Sequence, residues 1–148
     1  MTVGGTVSKP IFVKDGQYQS FTCDNAVTLG NVVRLTTTGT DTCDVGRAAS
    51  NHDCVLGVAV SGDRFSRTAT DNIIAAGGKV TVCTRGVVYV YTGTSAILIG
   101  SALEAGATGT VELSTTSGVA VSAIDIIGFA LDANSGAATT IRMALMRF

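Results

Sequence analysis

Residues 126–148 read IIGFALDANSGAATTIRMALMRF, and residues 55–60 read VLGVAV. Both begin with an apolar pair, a glycine and an apolar-Ala-apolar triplet. A polar bend follows each, SGDRFSRTATDN after the first and DANSGAATT after the second, and each bend leads into a β-patterned run. The central glycines, Gly57 and Gly128, lie 71 residues apart, and upstream LGNVVRL (29–35) faces IGSALEA (99–105) at an offset of 70. Two matches in one order at nearly one offset predict a twofold internal duplication. The repeated glycines predict close backbone approach or a bulge on a curved strand. Half of this chain is too small to stand alone, so one barrel-like sheet with a merged core is expected.

Working outward, short β-patterned units alternate with turn signals, the pattern of a sandwich or barrel. Strands are expected over Phe21–Val27, Val32–Thr37, Cys54–Val60, Lys79–Cys83, Val87–Tyr91, Gly109–Thr115, Ile126–Leu131 and Thr139–Phe148. Helix signals are weak: 70–77 and 97–105 are too short for a convincing period. Residues 1–16 differ from the rest, with Gly4-Gly5, the single proline at Pro10, and Lys14-Asp15-Gly16. An extended N-terminal arm or edge strand (1–16) before one domain (17–148) is the expected organisation, because Pro10 cannot donate to a central ladder.

Composition supports all-β. Charged residues are 14% of the 148, against about 25% in an average globular protein. Glutamate occurs only at Glu104 and Glu112 and lysine only at Lys9, Lys14 and Lys79, which leaves little to build a solvated helical surface. Threonine and valine, which fit a pleated half-buried surface, abound instead. Net charge is −1 with no basic stripe, so no nucleic-acid partner is expected. Low charge keeps monomers apart poorly, which hints at a surface covered by other subunits.

The opening MTVGGTVSKP lacks the basic start and apolar core of a secretory signal, so synthesis in the cytoplasm is expected. The uncharged stretch 86–103 approaches the length of a membrane span, but Thr92-Gly93-Thr94-Ser95 and Gly100-Ser101 make it strand, turn, strand. No membrane partner is expected.

Motifs that carry chemistry are few. Ser50-Asn51-His52-Asp53-Cys54 holds residue types of nucleophilic catalysis, yet neighbours on an extended chain point to opposite sides. His52 is the sole histidine, and a polar loop is the expected role. Asp41, Asp44, Asp53 and Asp63 fall in loops where aspartate caps its own backbone, and no calcium-loop spacing is present. Phosphate-cradling and nucleophile-elbow motifs are missing, and aromatics, at 5% with no tryptophan, are sparse for stacking ligands. Cys23, Cys43, Cys54 and Cys83 are expected as buried free thiols, with a Cys43–Cys54 bridge as the alternative. No enzyme activity, cofactor, metal or small-molecule substrate is expected.

Two runs suggest assembly. Val87–Tyr91 is apolar on both faces, and the final strand nearly so, whereas an antiparallel strand normally turns one polar face to water. Their second faces meet either core or another subunit. The candidate contact residues are Val88, Val90, Met146 and Phe148, together with Thr2, Val3, Pro10, Ile11 and Phe12 of the arm.

Read in order, LGNVVRL, VLGVAV, IIAAGGKVTVCTRGVVYV, AILIGSALEAGATGTVELSTTSG and IIGFALDANSGAATTIRMALM resemble the small capsid decoration, or cement, proteins of tailed bacteriophages. The positions that carry the likeness are Gly57, Ala59, Val80, Val82, Gly86, Val87, Gly100, Gly128 and Ala130, spread over most of 25–147. The resemblance implies a compact β-barrel or β-tulip without enzymatic activity. It implies a homotrimer on the exterior of the expanded icosahedral head that locks neighbouring major capsid subunits together. The long arm, the insert around Asp41–Asp53 and the cysteines depart from that pattern. A trimeric tail-associated or receptor-binding β module is the alternative.

Overall fold

The computed structural model describes residues 12–35, 42–45, 55–62, 72–114 and 126–146. Eleven strands occur among them: β1 (Phe12–Cys23), β2 (Val27–Thr28), β3 (Val32–Leu35), β4 (Thr42–Val45), β5 (Val55–Gly62), β6 (Ile73–Ile74), β7 (Lys79–Tyr91), β8 (Ala102–Ala105), β9 (Val111–Leu113), β10 (Gly128–Ala130) and β11 (Thr140–Leu145). A single 3-10 turn spans Ala107–Gly109, and no α-helix is present among the described residues. The chain is all-β. The two weak helix signals hold β6 and β8, whose side chains alternate about a sheet rather than wind about an axis.

Nine strands form one sheet in the order β1-β4-β3-β5-β7-β11-β10-β8-β9, and β1 pairs again with β7. That second pairing closes β1-β4-β3-β5-β7 into a five-stranded ring. On the other side, Thr92, just past β7, bridges Val111 of β9 in parallel. The bridge joins the ends of β7-β11-β10-β8-β9 into a second ring. β7 belongs to both, its first half in one ring and its second half in the other. Closure removes edges that would otherwise pair with foreign strands.

The predicted duplication is visible in the pairing. Val33 opposes Gly57 and Val32 opposes Val58 in the first half; Leu103 opposes Gly128 and Ala102 opposes Phe129 in the second. Ala59 opposes Val82 and Ala130 opposes Met143. Phe21 opposes Val80 and Val90 opposes Ile141. Even the entry turns agree. Gly30 donates to Ala59 O and Gly100 to Ala130 O, each at 2.7 Å. Both glycines have positive φ, +95° and +85°, as the third position of a type II turn demands. The second half of β7 therefore repeats β1, and β11 repeats the first half of β7.

The nine strands make one nearly closed, barrel-like sheet, as expected, in which each half closes a ring of its own, and the cores merge only in part. Phe21, Val27, Leu29, Val33, Ile74 and Val80 fill the first ring. Val90, Ile97, Leu103, Ile141 and Met143 fill the second, in a cluster that continues into Val32, Val55, Val58, Val60 and Cys83 on the outside of the first. The rings thus pack side by side on an apolar seam. A polar clip crosses it: the buried Asn31 side chain donates to Thr108 O at 2.9 Å.

Candidate interaction surfaces

Of the residues expected to make contacts, Thr2, Val3, Pro10, Ile11 and Phe148 lie outside the described residues. Phe12 begins β1, its backbone opposite Val88, so residues 12–16, expected as extended arm or edge strand, run as a bulged strand along β7. Val88 and Val90 are 0% exposed and belong to the core of the second ring. They have no surface to offer a neighbour, and of the two roles the sequence left open they fill the core one. Gly86, at φ +135°, lets β7 continue past the expected break, and β11 covers its second half. Met146 is exposed just beyond β11, its N–H donating to Ile127 O at 2.9 Å.

Met146 apart, sequence reasoning passed over the large apolar residues that reach the surface. Leu98, Ile99 and Phe129 are exposed on the second ring, and Tyr18 and Leu35 on the first. Isolated exposed apolar residues are ordinary. Here, however, the Leu98-Ile99-Gly100 turn is fastened to β10 next to Phe129, through the Gly100–Ala130 hydrogen bond. Grouped apolar side chains of this kind mark contact surfaces. The signal was present in the repeat: Ile99 and Phe129 align with Leu29 and Val58.

The surroundings are poor in chemistry. His52, Asp53 and Cys54 lie outside the described residues, as do Asp41 and Asp63. No group of three potential metal ligands forms among the described residues. Cys23 and Cys83 are buried and in no disulfide, as expected. The Cys83 thiol donates to Arg85 O at 3.1 Å, and burial pushes its pKa up. Glu104 and Glu112 stand opposite each other across β8 and β9, a like-charge pair that costs the sheet a little. Asp132 accepts from Arg142 Nη2 at 2.7 Å and from its backbone N–H at 2.9 Å. That partner raises the Arg142 pKa.

No curated protein sequence matches the chain. Among solved structures it is similar to the N base of head fiber gp8.5 in bacteriophage phi29, with a TM-score of 0.54 and 14% identity. The match covers 88% of this chain and 93% of that one, a likeness of fold. A family model, "Structural cement protein (E217 gp24/Pam3 gp6)", matches residues 4–146. With nearly the whole chain inside that match, the protein belongs to the phage structural cement protein family.

Proposed function

We propose that the chain binds the outer surface of the icosahedral phage head as a homotrimer and ties neighbouring major capsid subunits together, stabilising the expanded shell. The observation that carries this reading is the family match over residues 4–146. The physical case is one of area. A stable interface buries about 1,600 Å² in total, and a brick touching several subunits repeats that gain around the shell. Arrayed contacts hold even when each is weak. In this reading the protein is made in the host cytoplasm, acts on the virion exterior, and performs no catalysis.

The arm from Thr2 to Phe12 lies on the capsid in this reading. Mixing purified protein with undecorated expanded heads, and imaging them, tests the proposal. Added density on the outer shell and a raised melting temperature of the heads are expected. Heads that stay bare would overturn it. A chain lacking residues 2–12 should decorate at least about tenfold more weakly, the effect of losing some 1.4 kcal/mol of contact; equal decoration removes the arm from the interface.

A further inference from the structure

The two halves correspond residue by residue through their strand pairing, yet one surface is covered in the first half and bare in the second. Val32, Val55, Val58 and Val60, on the outside of the first ring, are buried because the second ring packs there. The corresponding positions of the second ring are Ala102, Ile126, Phe129 and Leu131. All four are apolar as well, and none is fully buried. Val58 is 0% exposed and its counterpart Phe129 is 37% exposed. The adjoining turns differ in the same sense. Leu29 turns into the interior of the first ring, whereas Ile99 is 71% exposed. The Tyr91 ring lies against Gly30, whereas a side chain added at Gly100 would meet nothing within 4 Å.

The converse asymmetry sits on the first ring. Ala105, at the end of β8, is 2% exposed within the second ring's core, but its counterpart Leu35, at the end of β3, is 40% exposed. Each half therefore carries apolar surface that its twin buries, and the two leftover surfaces are different ones. We infer that they meet between copies of this chain: the Phe129–Ile99 face of one copy receives the Leu35 end of the next, repeating between chains the ring-on-ring contact made within each. A second copy fits this face because the in-chain seam is already a working example of the contact, and the intermolecular one continues it. None of the residues named on either surface is charged, and the nearby Asp132 is held by Arg142. A contact between unlike patches is heterologous, so it closes into a ring or runs on as a filament. The ring deepens the homotrimer reading above by naming the surfaces that build it.

The test uses the full chain and no heads, so its failure is separable from a failure to decorate capsids. Wild type, Phe129→Lys and Leu35→Lys are weighed by sedimentation at micromolar concentration, with circular dichroism and melting temperature as checks on fold. Wild type should be a closed oligomer, and each variant alone a folded 15.0 kDa monomer. Mixing the two variants should give a two-copy species, because one pairing of the mixture keeps both of its patches intact. Ile99→Lys, on an exposed turn where folding is not at stake, should match Phe129→Lys. A monomeric wild type overturns the inference. So does an oligomer that survives Phe129→Lys and Ile99→Lys, or one that Leu35→Lys leaves whole. If Phe129→Lys keeps the oligomer but no longer coats heads, the face belongs to the capsid protein and the inference falls.

Discussion

Thr92 shows how a single side chain can hold a junction. Its hydroxyl donates to Thr139 O at 3.0 Å and accepts from Asn134 Nδ2 at 3.0 Å and Thr139 N–H at 3.1 Å. One donor and two acceptor sites are all a hydroxyl has. Thr92→Val keeps the shape but strands the buried Asn134 amide and the part-buried Thr139 N–H, and should cost about 1–3 kcal/mol in a urea melt. A loss below about 0.5 kcal/mol would mean water replaces the hydroxyl. This network was not legible in the sequence, because the corresponding first-half positions are Cys23 and Ile74, both apolar. Cys83 gives a second test at this scale. Its thiol is raised by burial, while an unfolded thiol titrates at about 8.5. The folded chain thus keeps the proton to higher pH than the unfolded one. The thiol's contribution is complete below the unfolded value and is lost as pH rises through the folded value. Cys83→Ala should flatten the alkaline fall in the urea midpoint relative to wild type; parallel curves would exonerate the thiol.

Among the elements, β5 and β10 show what the repeated glycine is for. A Cβ added at Gly57 would run into the carbonyl oxygen of Cys83, and one at Gly128 into that of Ala144. Cys83 and Ala144 occupy corresponding positions, each opposite the residue after the glycine. Both glycines therefore let a neighbouring strand approach more closely than any side chain permits. Gly57→Ala and Gly128→Ala should each destabilise by about 3 kcal/mol or more, the upper range for overpacking, with backbone rather than side chain in the way. Similar losses at the two sites are expected, measured by denaturant melts; a harmless Gly128→Ala would break the equivalence of the rings. Of the fold, the strands, the duplication and these glycines were legible, since period-2 alternation and a fixed offset survive in a bare sequence. The sharing of β7 was not. Arg85-Gly86 reads as a turn, and only the tertiary pairing of β1 and β11 on either half makes it a bend within one long strand.

At the scale of the whole molecule, the seam between the rings decides how the protein unfolds and how it binds. Cys83 and Val88, on one strand, lie in the cluster that joins the rings, so neither ring can open without exposing apolar surface on the other. One cooperative transition is expected from far-ultraviolet dichroism and from calorimetry, as for most small domains. The contact surface itself was only half legible in the sequence. Low charge announced a surface meant to be covered, but Val88 and Phe129 are equally apolar in a string of letters, and only the rings decide which faces out. The same low charge predicts how coating a head should respond to salt. With 14% charged residues and a net charge of −1, the chain has little field with which to steer itself toward a charged shell. Contacts with the shell through exposed apolar residues outside the copy-to-copy faces, such as Tyr18 and Met146, would be governed by apolar burial, which ordinary salt does not screen, whereas exposed ion pairs fade once the Debye length falls to about 3 Å at 1 M. Half-saturation of heads should therefore move less than about threefold between roughly 0.05 and 0.5 M sodium chloride, and should tighten in sulfate, which strengthens apolar burial. A steep weakening with sodium chloride would place the binding energy in charges, and would move the search for the capsid contact from these apolar faces to Arg34, Arg85 and the lysines of the arm.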